Sequence, residues 1–528
     1  MKFKLPNSVL FAVYPVLFLF SHNIHELGYS VIWRPLMVVV ASTLAFLFFL
    51  RLVLNDVVKR EIVASLFILL FFSYGHVSSL TKPSQLHALF SSFGLASREF
   101  FLVAGAVFFL LIVAWIMKTR RDLTAFSRYM RNFALILVLI PVLNILFFEL
   151  TEQRDLLGAI HPPQNQSLSE LTGTRPDIYY IILDAYARED VLDRVYGYNN
   201  SWFLDYLEGK GFHVASNSRA NYPRTWLSLA SSLNMQYLDD VAERVGAGSR
   251  NYHPLFQLVD DNQVARFLRS KGYTYVFFNS GIQIESPSAD LVVDHEKYLV
   301  YVDGQFYEKK YLSSYLDLNI FEIMLIQKTP LRILGSYEPL DPFLSHRNSI
   351  LFYLNQLALI PEMKEPTFVF AHIMSPHPPF VFGPDGEFVE NTGEFSEGDA
   401  DDYIGSREGY INGYRNQVNY LNRLVEETID RILSESSEPP IIIIQADHGP
   451  ASTLTVRTLA DTDLNERMSI LNAYYLPYGG DAELYDSITP VNSFRLVFNQ
   501  YFNASLDLLE DDVYFSPLEQ PYNFVRVS

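Results

Sequence analysis

Long runs of apolar residues occupy most of the first 150 positions of this 528-residue chain. Each run approaches the roughly 17–25 residues that a helix needs to cross a bilayer. The runs cover residues 5–20, 35–54, 62–80, 100–117 and 133–150. The first run has the length of a signal peptide, but it lacks a small-x-small cleavage site and four further runs follow it. The pattern therefore predicts an α-helical transmembrane domain of about five spans over residues 1–150.

Basic residues between these runs predict how the domain is oriented. Cytoplasmic loops of membrane proteins carry an excess of lysine and arginine. Ten basic residues lie on one side of the predicted spans, namely Lys2, Lys4, Arg51, Lys59, Arg60, Lys118, Arg120, Arg121, Arg128 and Arg131. Three lie on the other side, namely Arg34, Lys82 and Arg98. The N-terminus is therefore predicted to be cytoplasmic, and everything after residue 150 is predicted to be outside.

A different pattern begins after residue 150. Residues 151–173 are polar and proline-bearing, which is typical of a linker, and from residue 174 short apolar runs alternate with helical spacing. The predicted strands cover residues 177–184, 273–279, 367–373, 440–446 and 472–476. Residues 410–435 are predicted to form an amphipathic helix, and the acidic, glycine-rich residues 383–409 a surface excursion. Residues 174–528 are thus predicted to form an α/β domain with a mostly parallel central sheet flanked by helices.

Charge separates the two parts of the chain. Residues 1–150 carry 13 Lys and Arg against 6 Asp and Glu, and the whole chain carries 40 against 59. The remainder therefore holds 27 against 53, a balance of −26, and so acidic a domain is a poor binder of nucleic acid. The chain has no cysteine, which excludes disulfides and thiolate catalysis.

Two predicted strands end in acidic residues. Four isoleucines lead into Asp447, His448 and Gly449, and the first predicted strand ends in Asp184. Ligands of open α/β sheets bind beyond the carboxyl ends of the strands, and carboxylates and imidazoles are common metal ligands. A helix cap at Asp184 and an ordinary turn at residues 447–449 are the alternatives. Taken together, the two strand ends predict one metal site at one edge of the sheet.

Two further segments are candidates for the same site. Thr225 stands where a proline-containing loop becomes a helix, and Arg224 precedes it. Such a hydroxyl is an ordinary N-cap, or a nucleophile whose pKa a neighbouring metal lowers. His372 and His377 close another strand, in a loop that prolines constrain. Each is either a structural histidine or a group that contacts a phosphate or sulfate oxygen or protonates a leaving group.

These motifs, in this order, resemble the alkaline phosphatase superfamily. Within it, the chain is similar to the sulfatase-like branch with membrane-anchored lipoteichoic acid synthases and lipid A phosphoethanolamine transferases. The resemblance implies that one divalent metal ion, zinc or manganese, is held by Asp184, Thr225, Asp447 and His448. It also implies that Thr225 is the nucleophile that becomes covalently modified and that His377 and His372 contact the substrate. The family pattern assigns no role to Arg224, which could meet the substrate anion.

The chain departs from the family pattern at three points. Asp184 stands where the transferases use glutamate, and Ala185 stands where formylglycine sulfatases have a second aspartate. No Cys-x-Pro-x-Arg or Ser-x-Pro-x-Arg occurs in the sequence. The aldehyde nucleophile of those sulfatases therefore cannot form here by the usual route.

Three functions are compatible with these residues. The first is transfer of a phospho-linked group from a membrane lipid donor to an envelope glycan or lipid, at the outer face of a bacterial cytoplasmic membrane. The second is hydrolysis of a phosphate or sulfuric ester. The third is a non-catalytic membrane protein with a degenerate domain, or a transporter. A transporter would show ionisable residues within its spans, and these spans contain few.

Overall fold

The computed structural model describes residues 5–79, 97–151, 175–279, 288–294, 297–302, 305–310, 318–332, 341–391 and 395–527. Contacts divide the chain into two units. The first unit comprises Met1–Arg154 and Leu318–Asp341, and the second comprises Asp155–Asp317 and Pro342–Ser528. The predicted linker falls almost wholly outside the described residues, so the predicted domain boundaries near it stay predictions. The sequence did not predict that residues 318–341 group with the N-terminal helices.

Each of the five apolar runs near the N-terminus coincides with a helix. These helices are α1 (Asn7–His22), α2 (Ser30–Arg51), α3 (Val57–Ser79), α4 (Ser97–Lys118) and α5 (Thr124–Thr151). Among the described residues, three helices are long and apolar enough to cross a membrane: Ser30–Arg51, Phe101–Lys118 and Thr124–Thr151. The helix α1 is apolar but has only 16 residues. The structure thus supports three candidate spans rather than the predicted five, and α3 is not among them.

The remaining helices and strands alternate along the chain. The helices are α6 (Glu189–Tyr196), α7 (Ser201–Gly209), α8 (Thr225–Ser232), α9 (Asp239–Val245), α10 (His253–Asp260), α11 (Gln263–Ser270), α12 (Ile320–Gln327), α13 (Pro342–Leu357), α14 (Arg407–Glu435), α15 (Leu464–Met468) and α16 (Pro490–Phe502). The strands are β1 (Ile178–Leu183), β2 (His213–Val214), β3 (Thr274–Phe278), β4 (Leu291–Val293), β5 (Lys297–Val302), β6 (Gln305–Lys310), β7 (Thr367–Ile373), β8 (Ile441–Gln445), β9 (Asn472–Tyr475), β10 (Tyr514–Phe515) and β11 (Val525–Arg526). All of these elements except α12 belong to the second unit.

Seven strands form the central sheet of the second unit, in the order β2-β9-β8-β1-β7-β3-β4. The pairs from β8 to β4 are parallel, and β9 and β2 add an antiparallel edge. Every residue of β1, β7 and β8 is buried, as expected for strands covered on both faces. The prediction of a mostly parallel sheet is confirmed, and all five predicted strands are present. The strands β2 and β4 were not predicted, because two or three residues are too few to show a period.

The register of the central strands brings their carboxyl ends to one edge. Leu183 of β1 lies opposite Ile373 of β7, and Ile182 lies opposite Gln445 of β8. The residues that follow these three strands therefore emerge side by side. The helix α14 buries the apolar positions at spacings of three and four that predicted an amphipathic helix.

Candidate active site

Asp184 directly follows β1, and a hydrogen bond of its backbone N–H fixes its position. Its N–H donates to the Ile373 carbonyl at 3.0 Å. One carboxylate oxygen, Oδ2, lies 3.0 Å from His372 Nε2, while Oδ1 has no hydrogen-bond partner among the described residues. The next residue, Ala185, has a φ of 61°, in the left-handed region that few non-glycine residues adopt. The chain thus turns sharply at the strand end, and the Asp184 side chain is 3% exposed.

Asp447 and His448 occupy the corresponding position beyond β8. Asp447 Oδ1 accepts hydrogen bonds from the backbone N–H groups of Ala185 and His448, at 3.1 and 3.0 Å. Its other oxygen, Oδ2, has no hydrogen-bond partner in the described part of the chain. His448 Nδ1 donates to the Gly449 carbonyl at 3.0 Å, which leaves the Nε2 lone pair for the site. Burial and the Arg467 guanidinium lower the pKa of His448 to about 3, so the ring is neutral.

These three side chains form a group that can hold a metal ion. Ligand atoms of Asp184, Asp447 and His448 all lie within 4.8 Å of one another, and all three residues are buried. His448 Nε2 is 3.4 Å from Asp447 Oδ2 and 3.8 Å from Asp184 Oδ1, the two oxygens without hydrogen-bond partners. Buried carboxylate oxygens without donors are costly unless a cation compensates them. The residues present therefore fit a divalent metal, as the predicted ligand set requires.

Thr225 lies beside this group at the start of α8. Its Oγ1 is 3.2 Å from His448 Nε2, and the residue is half-buried. The N-cap of the helix is Arg224, so Thr225 is the first helical residue and not its cap. The alternative that Thr225 serves only as an N-cap is therefore disfavoured. A hydroxyl at a helix N-terminus beside a metal-ligand group is well placed to meet an anion.

Arg224 extends the site next to Thr225. Its Nη2 donates to the Val456 carbonyl at 3.3 Å, while its Nε has no hydrogen-bond partner among the described residues. Burial lowers the pKa of this guanidinium, but arginine stays charged in proteins. Arg224, the residue before Thr225, is thus a cation with an unused buried donor.

The two predicted histidines, His372 and His377, both contact Asp184. His372 belongs to β7 and contacts the Asp184 carboxylate, whereas the His377 backbone N–H donates to the Asp184 carbonyl at 3.1 Å. His377 Nδ1 donates to the Pro378 carbonyl at 2.6 Å. Burial alone would lower the pKa of His377, but the carboxylates of Asp184 and Asp399 raise it above its ordinary value. His377 therefore holds its proton to a higher pH than an ordinary imidazole, because the neighbouring carboxylates raise its pKa.

Arg467 and Asp399 belong to the site and were not predicted. The Arg467 guanidinium is 5% exposed and forms an ion pair with Asp399 at 2.6 Å. It also donates to the carbonyls of Pro223 and Gly449, at 2.8 and 3.0 Å, and its Nη2 lies 3.4 Å from His448 Nε2. Against the effect of burial, the charges of Arg467 and His377 lower the pKa of Asp399 to about 2.

Asp399 shows that part of the stretch 383–409, interpreted as a surface excursion, is buried, although most of its described residues are exposed or half-buried. Phe395 and Ala400 are buried, and the Asp399 side chain is 8% exposed. The acidic composition of this stretch predicted exposure to solvent. Asp399 instead supplies the negative charge that balances the buried Arg467 guanidinium. Glu397, in the same stretch, has its pKa raised to about 7 by loss of hydration. No local pattern around Arg467 marks it, because its partners are distant in the sequence.

The helix α14 fixes the loops that carry these groups. Tyr414 Oη donates to the Ala185 carbonyl at 2.8 Å and accepts from the Ala187 N–H at 2.9 Å. Gln417 Nε2 donates to the His377 carbonyl at 3.0 Å. Tyr410 Oη donates to Asp399 Oδ1 at 2.7 Å and accepts from the Ala451 N–H at 3.1 Å. One helix face thus holds the loops after β1, β7 and β8. The side chains of this face bond to backbone groups of the loops and to the Asp399 carboxylate.

Gly449 is required by packing against α15. A Cβ built at this position would lie 2.1 Å from the Glu466 carbonyl oxygen, which is backbone and cannot move freely. The Gly449 N–H donates to the Arg467 carbonyl at 2.7 Å. The glycine of the Asp-His-Gly motif therefore allows the metal-ligand loop to lie directly against the segment that carries Arg467.

Comparison with known proteins places the chain in a family. The Sulfatase family model matches residues 176–494. A search of curated proteins returned no match. Among solved structures, the C-terminal periplasmic domain of EcEptC from Escherichia coli is similar at 12% identity and a TM-score of 0.41, covering 68% of this chain and 94% of that chain. The same domain in complex with Zn gives 11% identity and a TM-score of 0.42, covering 69% and 96%.

A full-length membrane protein is also similar. The integral membrane protein lipooligosaccharide phosphoethanolamine transferase A from Neisseria meningitidis shows 11% identity and a TM-score of 0.37, covering 94% of this chain and 95% of that chain. The family assignment itself rests on the family model, which spans more than half of the chain. The chain belongs to the Sulfatase family, and the resemblance to the sulfatase-like branch of the alkaline phosphatase superfamily is confirmed.

Proposed function

We propose that this protein is a membrane-anchored, metal-dependent sulfatase-like enzyme that transfers a phospho-linked group. The donor is a membrane lipid, the acceptor is an envelope glycan or lipid, and the group is carried on Thr225. The observation that supports this most directly is the position of Thr225 Oγ1, 3.2 Å from His448 Nε2, at the N-terminus of α8. The hydroxyl thus contacts the histidine whose ligand atom is grouped with those of Asp184 and Asp447.

Asp184, Thr225, Asp447 and His448 would hold one divalent metal ion in this enzyme. Three oxygens and one nitrogen suit zinc or manganese. When bound, such an ion acts as a Lewis acid that lowers the pKa of a neighbouring hydroxyl and offsets charge on phosphoryl oxygens. One oxygen of each carboxylate, Asp184 Oδ1 and Asp447 Oδ2, has no hydrogen-bond partner among the described residues, which is consistent with that occupant.

In the first half-reaction, Thr225 Oγ attacks the phosphorus of the lipid donor after its proton has left to solvent. The Oγ–P bond forms, and the P–O bond to the lipid alcohol breaks. His377 gives its proton to the departing alkoxide, a role that suits it because the surrounding carboxylates raise its pKa and favour its protonated form. The N–H groups at the start of α8 and the Arg224 guanidinium face the phosphoryl oxygens, where negative charge increases.

In the second half-reaction, an acceptor hydroxyl attacks the same phosphorus. His377, now neutral, takes the proton of that hydroxyl, the P–Oγ bond breaks, and Thr225 Oγ takes a proton back from solvent. Water in place of the acceptor would give hydrolysis, which is the second candidate. A degenerate, non-catalytic domain is disfavoured because Asp184, Thr225, Asp447 and His448 are all present and grouped.

In the proposed membrane arrangement, the catalytic domain lies on the outer side of a bacterial cytoplasmic membrane. In it, α1 and α3 cross the membrane together with the three candidate spans, which gives five. The asymmetry of ten basic residues against three supports this orientation. A lipid donor in the same membrane would be held beside the domain, which favours a lipid-linked substrate.

Intact-protein mass spectrometry tests the proposed chemistry. Purified full-length protein is incubated with bacterial envelope lipids and zinc or manganese, without acceptor, and its mass is measured. A covalent adduct is expected on the wild type and on Thr225→Ser, and the added mass identifies the transferred group. Thr225→Ala should form no adduct. Release of the free group without any adduct in a fast-quench time course would favour direct hydrolysis instead.

A further inference from the structure

Residues 318–332, called here the docking segment, belong to the first unit although the chain on both sides of them belongs to the second. Their helix, α12, is eight residues long and is too short to cross a bilayer. The chain therefore passes between the two units at three places, after Arg154, before Leu318 and after Asp341. A polar linker alone would have made one such connection.

The docking segment contacts the N-terminal helices through an ion pair whose carboxylate is buried and whose guanidinium is half exposed. Arg34, in the first turns of α2, donates through both Nε and Nη2 to the two carboxylate oxygens of Glu322, whose side chain is 8% exposed. Paired bonds of this kind fix direction as well as distance. Glu322 also accepts from the Asn319 N–H, and Asn319 accepts from the Glu322 N–H, which forms a capping box at the start of α12.

Apolar packing adds a second, independent attachment. Phe321 is fully buried, and its ring lies 6.4 Å from that of Phe20 in a T-shaped arrangement. Phe321 and Leu325 belong to one buried cluster with residues of α1, α2 and α5. The members from the N-terminal helices and their connections are Val16, Phe20, Ile24, Ile32 and Phe148.

Close backbone contact provides a third attachment, at Gly75 of α3. The Gly75 N–H donates to the Lys328 carbonyl at 3.0 Å. A Cβ at position 75 would lie 2.5 Å from Lys328 Cα and 2.8 Å from the Gln327 carbonyl oxygen, both backbone atoms. Only glycine allows the two backbones to approach this closely.

All of these contacts fall at one side of the proposed membrane domain. Phe20 and Gly75 lie near the ends of α1 and α3, Arg34 lies near the start of α2, and Phe148 lies near the end of α5. With the N-terminus in the cytoplasm, each of these positions is outside. The docking segment therefore contacts the side of the membrane domain on which the chain leaves α5, whichever way that domain is oriented.

We infer that the docking segment is an internal clasp that seats on the outer ends of α1, α2, α3 and α5. It holds the catalytic domain to the membrane unit independently of the linker at residues 152–174. A domain attached at several places has fewer accessible orientations than one attached by a single linker. The partner of this outer surface is thus a segment of the same chain.

Cleavage of the linker tests the clasp without measuring turnover. The full chain carries a specific protease site inserted in residues 152–174, is cleaved in native membranes, and is washed in high salt before sedimentation. We expect most of the fragment that begins at residue 175 to stay in the membrane pellet. Release of the wild-type fragment into the supernatant would overturn the proposal.

Two sets of variants distinguish docking from simple adsorption of α12 to lipid. Gly75→Ala should release the fragment several-fold more than the wild type, because its added methyl group meets the Lys328 backbone. Gly105→Ala is the matched control, since a Cβ there has nothing within 4 Å. Glu322→Arg should also release the fragment, and adding Arg34→Glu should restore retention. Equal retention in the wild type, Gly75→Ala and Glu322→Arg would contradict docking on the helices.

A second readout rests on the proposed function and compares two donors. Undocking by Gly75→Ala should lower turnover of a lipid donor embedded in vesicles several-fold, and should leave turnover of a water-soluble aryl phosphodiester unchanged. An equal fall with both donors would show damage to the catalytic domain and contradict a clasp. Absence of turnover in the wild type would concern the proposed function alone, because retention after cleavage does not depend on it.

Discussion

Arg467 Nε donates to the carbonyl of Pro223 at 2.8 Å, two residues before the proposed nucleophile Thr225. The same guanidinium donates to the Gly449 carbonyl, directly after the proposed metal ligand His448. The loop that carries the nucleophile and the loop that carries the metal ligands are therefore joined through one side chain. Its charge is matched by Asp399, so Arg467 acts as a positioning residue.

Arg467→Lys is expected to lower kcat more than it changes KM. Lysine keeps the charge but cannot donate to Asp399, Pro223 and Gly449 at once, because it lacks the planar fork. Loss of one hydrogen bond to a charged group corresponds to roughly 1.5–3 kcal/mol, or about 10- to 100-fold in rate. Steady-state kinetics with metal analysis would test this, and added guanidinium should partly restore Arg467→Ala. Arg457→Lys, at an exposed ion pair with Asp401, is the control.

Thr225→Ala is expected to abolish turnover while the fold is kept. Thr225 is not the N-cap of α8, so its loss should shift the melting temperature little. Thr225→Ser keeps the hydroxyl and should retain part of the activity. Turnover assays are read beside a thermal melt, with Thr453→Ala as an exposed control. A folded Thr225→Ala protein with near-normal turnover would eliminate the covalent mechanism.

Each of Asp184→Ala, Asp447→Ala and His448→Ala should remove most of the bound metal and the activity. These side chains lie at strand ends and not within the apolar core, so the fold should largely persist. Metal content is measured after gel filtration, and Asp385→Ala, at an 82% exposed side chain, is the control. A chelator should lower the melting temperature of the wild type but not of the three variants, since metal binding stabilises only a folded site. Full metal occupancy in Asp447→Ala would remove that residue from the ligand set.

Stability at acid pH should depend on Asp399. Its pKa is lowered from an ordinary value near 3.8 to about 2 in the folded protein. The ionised carboxylate therefore contributes stability that is complete above about pH 4 and is lost as the pH falls toward 2, of the order of 2 kcal/mol. The wild type should melt well above Asp399→Asn at pH 6, and the difference should shrink as the pH falls below 4. A difference that is constant between pH 6 and pH 2.5 would assign the effect to packing.

The orientation of the membrane domain can be tested with reporter fusions. A phosphatase reporter fused at about residue 170 should be active, because that position is proposed to be outside. One fused near residue 125 should be inactive, because residues 118–131 carry five of the ten basic residues assigned to the cytoplasmic side. The reverse pattern of activities would refute the five-span arrangement.

Apolar runs and regularly spaced apolar residues predicted the buried strands and the amphipathic helix. β7 was predicted over the residues it occupies, and the strand ends that carry Asp184 and Asp447 were predicted to meet. Arg467 and Asp399 could not be predicted, because an ion pair between residues 68 positions apart leaves no local period. The acidic composition around Asp399 predicted an exposed side chain, whereas the structure buries it. Apolarity likewise predicted five spans where the described residues support three, and helix length accounts for the difference only at α1, which has 16 residues.

The contacts of α14 have a consequence for how the enzyme loses activity on heating. Tyr410, Tyr414 and Gln417 hold loops that follow three different strands, and all three side chains are fully buried. Those loops cannot become mobile one at a time while the helix stays in place. Inactivation and the collapse of the whole domain should therefore share one midpoint, without the low-temperature inactivation that is common when an active site is built on independent loops.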